Sequence, residues 1–299
     1  MRLLSFFLIF FSVLLSFAQE RNDLSAAHAN SYVKYASYKA MLKSDRFTVD
    51  SIGFFIDKNK DTLIRVSGNN FTKGVRVAYE EKDSVFLNRY KALVFNATHG
   101  NANDVKKARM RYWKDEIKVY FDSTVPSKTV REMKKVFKLL DKEVDSLKIK
   151  TVNRRNQSNY FIYFVNRPDA IDWDKRITGK SDGGFLSWNG KQQIYNTSIK
   201  INSQMIFNEE EQLMTLKKHF FWSLGFFYIQ PNKECESFFS SCVYVDKVLT
   251  EEDLALIKYH YSYGICKGTD METFEEQHKS AQKSKRGNSK SEHYFIHYN

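Results

Sequence analysis

Apolar positions along the chain follow two periods, and the changes between them mark the elements. Within residues 211–229 apolar side chains fall at Leu213, Leu216, Phe220, Leu224 and Phe227, three and four apart. That spacing forms one stripe of an amphipathic helix with a face in a core. Gly225 then offers the chain a place to leave the helix. Val130, Met133, Phe137, Leu140, Val144 and Leu147 form a cleaner stripe after Pro126-Ser127 and predict a second helix. Leu254, Ile257 and Tyr261 give a third helix its buried side, and Thr250-Glu251-Glu252-Asp253 ahead of them reads as a capping box. A mixed pattern over 24–43 suits a further helix.

Strands are expected where the period falls to two. Phe47, Val49, Ile52, Phe54 and Ile56 run into a Lys58-Asn59-Lys60-Asp61 turn and a second strand from Thr62, with a last short strand at 74–77. Residues 84–95 and 109–120 flank a Gly/Asn-rich turn at 100–103. Ile117, Val119 and Phe121 alternate as a half-buried strand, and 149–152 and 160–165 read as two more. Gly183-Gly184 opens a turn before Phe185, Leu186 and Trp188, and a hairpin continues through Gly190 to Ile199 and Ile201. From Lys267 onward the sequence is Lys/Ser-rich and the apolar pattern stops, so a disordered tail is expected.

The 299 residues are 42% hydrophobic and 15% aromatic, enough to bury a core and too apolar for a disordered chain. Residues 1–18 have the form of a cleavable signal: Arg2, an apolar run over 3–15, and Ser16-Phe17-Ala18 before a cut ahead of Gln19. The run is shorter than the ~20 residues of a comfortable membrane span. A secreted or periplasmic protein, with no transmembrane segment in the mature chain, is therefore expected. The formal net charge of +12 favours anionic surfaces. Its lysines and arginines are scattered, and no finger or aromatic ribonucleoprotein box is present, so no specific nucleic acid partner is expected. An exported chain can oxidise its cysteines. Cys235 and Cys242 close a short loop and are the preferred pair; Cys266 is the alternative partner for either, and one thiol is left over.

The helix over 211–229 ends Ser223-Leu224-Gly225. That frame resembles the end of the zincin metallopeptidase helix, H-E-x-x-H-x-L-G. On it Lys218 takes the first ligand position, His219 the general-base position, Trp222 the second ligand position and Tyr228 the third. Zinc requires imidazole, thiolate or carboxylate donors. An ammonium repels the cation and an indole nitrogen has no free lone pair. No metal or cofactor is expected, and the chain leans away from being an enzyme.

A narrower resemblance is to a secreted bacterial family of unknown function that is itself related to matrixin-like zincins. It is carried by Arg89-Tyr90-Lys91-Ala92-Leu93-Val94 at the family's first strand and Arg111-Tyr112-Trp113 ahead of the strand at 117–121. Asn159-Tyr160-Phe161-Ile162-Tyr163-Phe164 stands at an edge strand, Ser237-Phe238-Phe239 at a turn, and Leu249-Thr250 with Asp253 and Ile257 at the last helix. Where the family's helix reads E-E-L-T-Q-S-L-G-L, Lys218 and His219 replace the acids and Trp222 replaces Gln.

The resemblance implies an α+β zincin-like domain, a mixed sheet packed on an active-site-type helix. It gives a signal at 1–18, a helical and β-rich extension at 19–83, the zincin-like domain at 84–267 and a polar tail at 268–299. It implies an exported, catalytically inactive peptidase-like protein that holds a peptide, protein or glycan in the vestigial cleft, with Phe185 and Trp188 at the cleft edge. Alternatives are an active hydrolase with an unrecognised site and a basic envelope-surface binder. Lys218 and Trp222, four apart on a helix, are placed to form a cation–π contact. His219 has no orienting partner nearby in sequence, so a structural role is expected for it.

Overall fold

The computed structural model describes the strands at 32–34, 51–56, 62–66, 74–78 and 294–298, and residues 79–166, 172–231, 233–243 and 246–287. The chain divides into two compact units, Met1–Arg76 with Ile296–Asn299 and Val77–Phe295. The expected signal at 1–18 lies outside the described residues. Among the described residues no helix is long and apolar enough to cross a membrane.

In the first unit β1 (Tyr32–Lys34), β2 (Ser51–Ile56) and β3 (Thr62–Val66) form an antiparallel sheet in the order β1-β3-β2. The β2–β3 pair matches the expected hairpin strands; the turn itself lies outside the described residues. Tyr32–Lys34 corrects part of the helix expected over 24–43: Tyr and Val favour a pleated surface, and β3 supplies the partner strand. β4 (Gly74–Ala78) is a strand as expected, but it pairs with β11 (Tyr294–Tyr298) in a separate two-stranded sheet.

The second unit is mixed α/β. β6 (Ile117–Phe121) pairs in parallel with β7 (Ile149–Thr151) and with β8 (Tyr160–Val165). β8 pairs in parallel with β10 (Gln193–Asn202), and β9 (Asp182–Trp188) lies antiparallel along the other side of β10. The two-residue β5 (Tyr112–Trp113) joins the start of β10. β8 is therefore an interior strand rather than the edge strand the resemblance implied; Ile162 and Phe164 are buried as that position requires.

Three helices follow their apolar stripes. α3 (Ser127–Glu143) buries Met133, Phe137 and Leu140. α4 (Glu209–Ser223) starts at Asn208, whose side chain accepts from the Glu210 and Glu211 amides, and Glu209, Glu210 and Glu211 face the positive end of its dipole. α4 lays Phe220 between Phe137, 5.0 Å away, and Tyr160, 5.8 Å away. α5 (Glu251–Tyr261) is capped by Thr250, as its sequence predicts. The buried Asp253 carboxylate accepts from Ser237 Oγ (2.7 Å) and the Phe238 amide (3.1 Å), and the side chain of its own cap, Thr250, also hydrogen-bonds to it.

Two expectations fail for the same reason, that tertiary burial overrides local composition. Residues 89–94 belong to a helix, α1 (Ser84–Phe95), not a strand. Asp83 caps it by accepting from Phe86 N at 2.8 Å, and Tyr90, Leu93 and Val94, three and four apart, are buried. A short α2 (Ala102–Lys107) follows. The tail expected to be disordered instead folds as α6 (Met271–Gly287) and β11. Phe274, His278 and Ala281 make a narrow stripe that α6 buries despite its polar bulk. Cys235 and Cys242 form a disulfide, and Cys266 is a half-buried free thiol.

Two histidines are buried in this unit. His260 Nε2 lies 2.8 Å from the Arg111 carbonyl, which can only accept, so Nε2 carries the hydrogen and Nδ1 accepts from Tyr90 OH at 3.0 Å. His278 sits between Tyr79 OH (3.1 Å) and Tyr259 OH (2.9 Å). Burial first, then the charge of Lys267, pushes His260 down to about 3; burial, then Lys91, pushes His278 down to about 4. Both are neutral when folded, and the unfolded chain binds their protons near the ordinary 6.5. Their contribution to stability is therefore complete above pH 6.5 and is lost as pH falls toward 4 and then 3. By pH 5 each is expected to remove about 2 kcal/mol of unfolding free energy. Urea midpoints at pH 7 and pH 5 check this, with His278→Gln losing its own share of the drop.

Candidate functional site

The site of interest is where α4 packs against β9, the place of the cleft that the resemblance implies. Successive strand residues point to opposite faces. Asp182, Gly184, Leu186 and Trp188 therefore share the face of β9 that meets α4, and Phe185 points the other way. The contacts agree: Trp188 packs on Phe226 at 5.8 Å, whereas the Phe185 ring is covered by the Arg176 guanidinium at 4.1 Å. Of the two expected edge residues, only Trp188 belongs to the cleft. Among the described residues β9 pairs with β10 alone.

His219 Nε2 is 2.6 Å from Asp182 Oδ1. This corrects the expectation of a histidine without an orienting group: the partner is 37 positions away, on the strand opposite. The His219 hydrogen bond holds the Asp182 carboxyl below its usual range against the opposing effect of burial, and Ser181 Oγ donates to Oδ2 at 2.7 Å. An ionised carboxylate can only accept, so His219 Nε2 carries the hydrogen and Nδ1 is left as the basic nitrogen.

One turn along α4, Trp222 sets the Cζ3 edge of its indole against the bare backbone of Gly184. A Cβ added there would stand 2.7 Å from the indole ring. Gly183 and Gly184, expected to open a turn, are inside β9, where the missing side chain admits the helix. Gly225, expected to release the helix through its own conformational freedom, is needed for space instead: a Cβ would meet the Phe227 ring at 2.3 Å. Phe226 takes the left-handed backbone, at φ 54°. For a non-glycine residue this stores on the order of 1 kcal/mol or more.

That conformation brings Phe226 to the centre of an aromatic row. Its ring lies 5.4 Å from Trp222, 5.8 Å from Trp188 and 6.0 Å from Tyr228. Arg111 slides into the row, with its guanidinium carbon 4.1 Å from the Trp188 ring centre and 4.4 Å from that of Phe226.

Of the four positions taken from the zincin frame, His219, Trp222 and Tyr228 line this cleft. The expected contact of Lys218 with Trp222 is not among the described cation–π contacts, and the charge of Lys218 acts on Asp182 and Lys247. Asp182, Gly184, Phe226 and Arg111 were missed. The only signal for them was a Gly pair inside an apolar run, which also fits a close backbone approach. Among the described residues no group of three or more His, Cys, Asp and Glu side chains gathers where it could hold a metal ion. The sequence matches no protein-family model and no curated protein.

The Trp222–Gly184 contact is directly testable. Gly184→Ala is expected to cost about 1–3 kcal/mol, the usual range for overpacking. In a Trp222→Ala background the same change is expected to cost almost nothing, giving a coupling of about 1–3 kcal/mol in a denaturant double-mutant cycle.

Proposed function

We propose that this is an exported peptidase-like protein whose cleft binds an extended peptide along β9 without metal chemistry. The observation that carries this reading is the Trp222 ring lying on Gly184. The frame's second ligand position is filled by an indole packed on the strand, which has no donor to offer a cation. Three further features support it. A mainly parallel sheet that includes β6, β7, β8 and β10 precedes α4 and α5 in the chain, which is compatible with a mixed sheet packed on a helix. Among the described residues β9 has a strand partner on one side, β10, and strand addition on the other would pair an extended chain. The Cys235–Cys242 disulfide fits an oxidising compartment.

The Asp182–His219 pair favours a second reading, an active hydrolase. A carboxylate that orients an imidazole is the usual support for a general base. His219 would then take a proton from water or a hydroxyl through Nδ1.

Metal analysis of the purified protein is expected to find substoichiometric zinc, and chelator is expected to leave Tm unchanged; stoichiometric zinc lost with a fall in Tm overturns the reading. Hydrogen exchange with an excess of short unstructured peptides is expected to protect amides at 182–188 while the peptides stay intact. Cleavage of the peptides that Asp182→Asn abolishes would establish the hydrolase instead.

A further inference from the structure

Arg89, Arg109, Arg131, Arg155 and Arg176 each lie within 4.0 Å of a carboxylate, according to contacts of 3.9, 3.5, 3.9, 3.3 and 2.8 Å. Arg111 has no such ion pair among the described residues, although it is half-buried in the cleft. Burial is the largest influence on it and lowers its pKa; the only opposing influence comes from the Tyr228 phenol. Its Nε is sealed from solvent and has no hydrogen-bond partner. A guanidinium removed from water without a counter-charge is costly. Two aromatic faces offset part of that cost.

The geometry is also selective. Trp188 and Phe226 lie 4.1 and 4.4 Å from the guanidinium carbon with ring centres 5.8 Å apart, so they stand side by side against it, and a hydrogen bond to the Tyr228 phenol holds one of its N–H groups. A planar fork of donors matches a carboxylate in its own plane. Trp188 is 38% exposed, which leaves this end of the cleft open to solvent. Phe226 is held in a left-handed conformation to form the second wall.

We propose that Arg111, walled by Trp188 and Phe226 with Tyr228 beside it, is a docking point for a carboxylate of the bound peptide. The inference rests on the cleft being a peptide site, but not on strand addition along β9. The carboxylate comes either from the free C-terminus or from an acidic side chain. The +12 net charge draws such ligands toward the protein.

The test follows the Arg111 Nε–H resonance by NMR on the full chain during titration with three probes. These are N-acetyl-Ala-Ala with a free carboxylate, the same dipeptide as its amide, and N-acetyl-Asp-Ala amide. A free-acid shift that saturates at least about tenfold more tightly than the amide assigns the C-terminus. The same preference for the Asp probe assigns an acidic side chain. Arg111→Lys keeps the charge and loses the fork; followed at the Trp188 indole N–H in both proteins, it is expected to erase the preference for acid over amide. Equal response to acid and amide, or no response of Arg111 to any probe, overturns the proposal. The hydrogen-exchange result at 182–188 is independent of this titration, so failure of strand addition and failure of the carboxylate site are told apart.

Discussion

The last carbonyls of a helix have no partners within it, and when that end is buried the rest of the protein must supply donors. The C-terminal end of α4 is such an end: Ser223 and Leu224 are fully buried. Trp113 Nε1 donates to the Ser223 carbonyl at 3.0 Å, and Tyr261 OH to the Leu224 carbonyl at 2.5 Å. Ser223 Oγ turns back on the Phe220 carbonyl and also meets Tyr160 OH, each at 2.7 Å. The donors come from β5, β8 and α5. One polar junction thus fixes the helix against two strands and the following helix. Its position sets where Trp222 meets the sheet and where the segment from Gly225 to Tyr228 emerges.

With α4 fixed, the close approach to β9 follows. A helix can lie this near a strand only where the strand lacks a side chain, and Gly184 is that place. The indole fills the gap, and the chain beyond it must turn at once to keep Phe227 in the core. Phe226 absorbs the turn in its left-handed backbone and is thrown outward into the row between Trp222, Trp188 and Tyr228. The aromatic wall of the cleft is therefore a consequence of how the helix ends.

The amphipathic helices α3, α4 and α5 and the strands β6, β8 and β10 were legible because their periodicity reflects burial on a single face. The Cys235–Cys242 pair was legible because seven positions of chain bring the two sulfurs within reach. What failed needed information from elsewhere in the fold. Residues 90–94 were placed on a strand by the resemblance alone; Asp83 caps them into a helix whose stripe is buried. The stripe of α6 is too thin to stand out among its lysines and serines, and Phe274 and His278 gain their meaning only from Tyr90 and Tyr259 packed against them. Phe185 and Trp188 look equivalent in sequence, yet strand parity sends them to opposite faces. Asp182 could be matched to His219 only after the sheet had brought β9 across α4.

The two ends of the cleft differ in how far the chain satisfies its own charges. At the start of β9, Asp182 has its histidine and its serine, so the charge is answered internally and little is left for a ligand. At the far end Arg111 has two rings packed beside it and a hydrogen bond to the Tyr228 phenol, but among the described residues no carboxylate. Six residue steps of strand separate the two, a distance of about 20 Å. A charge asymmetry over that length gives a bound chain a direction. A peptide whose terminal carboxylate lies at Arg111 and whose body lies along β9 runs from the Asp182 end toward Trp188, parallel to the strand. Recognition in this cleft would then rest on an unanswered cation at one end, while the position the frame assigns to a metal ligand is occupied by an indole.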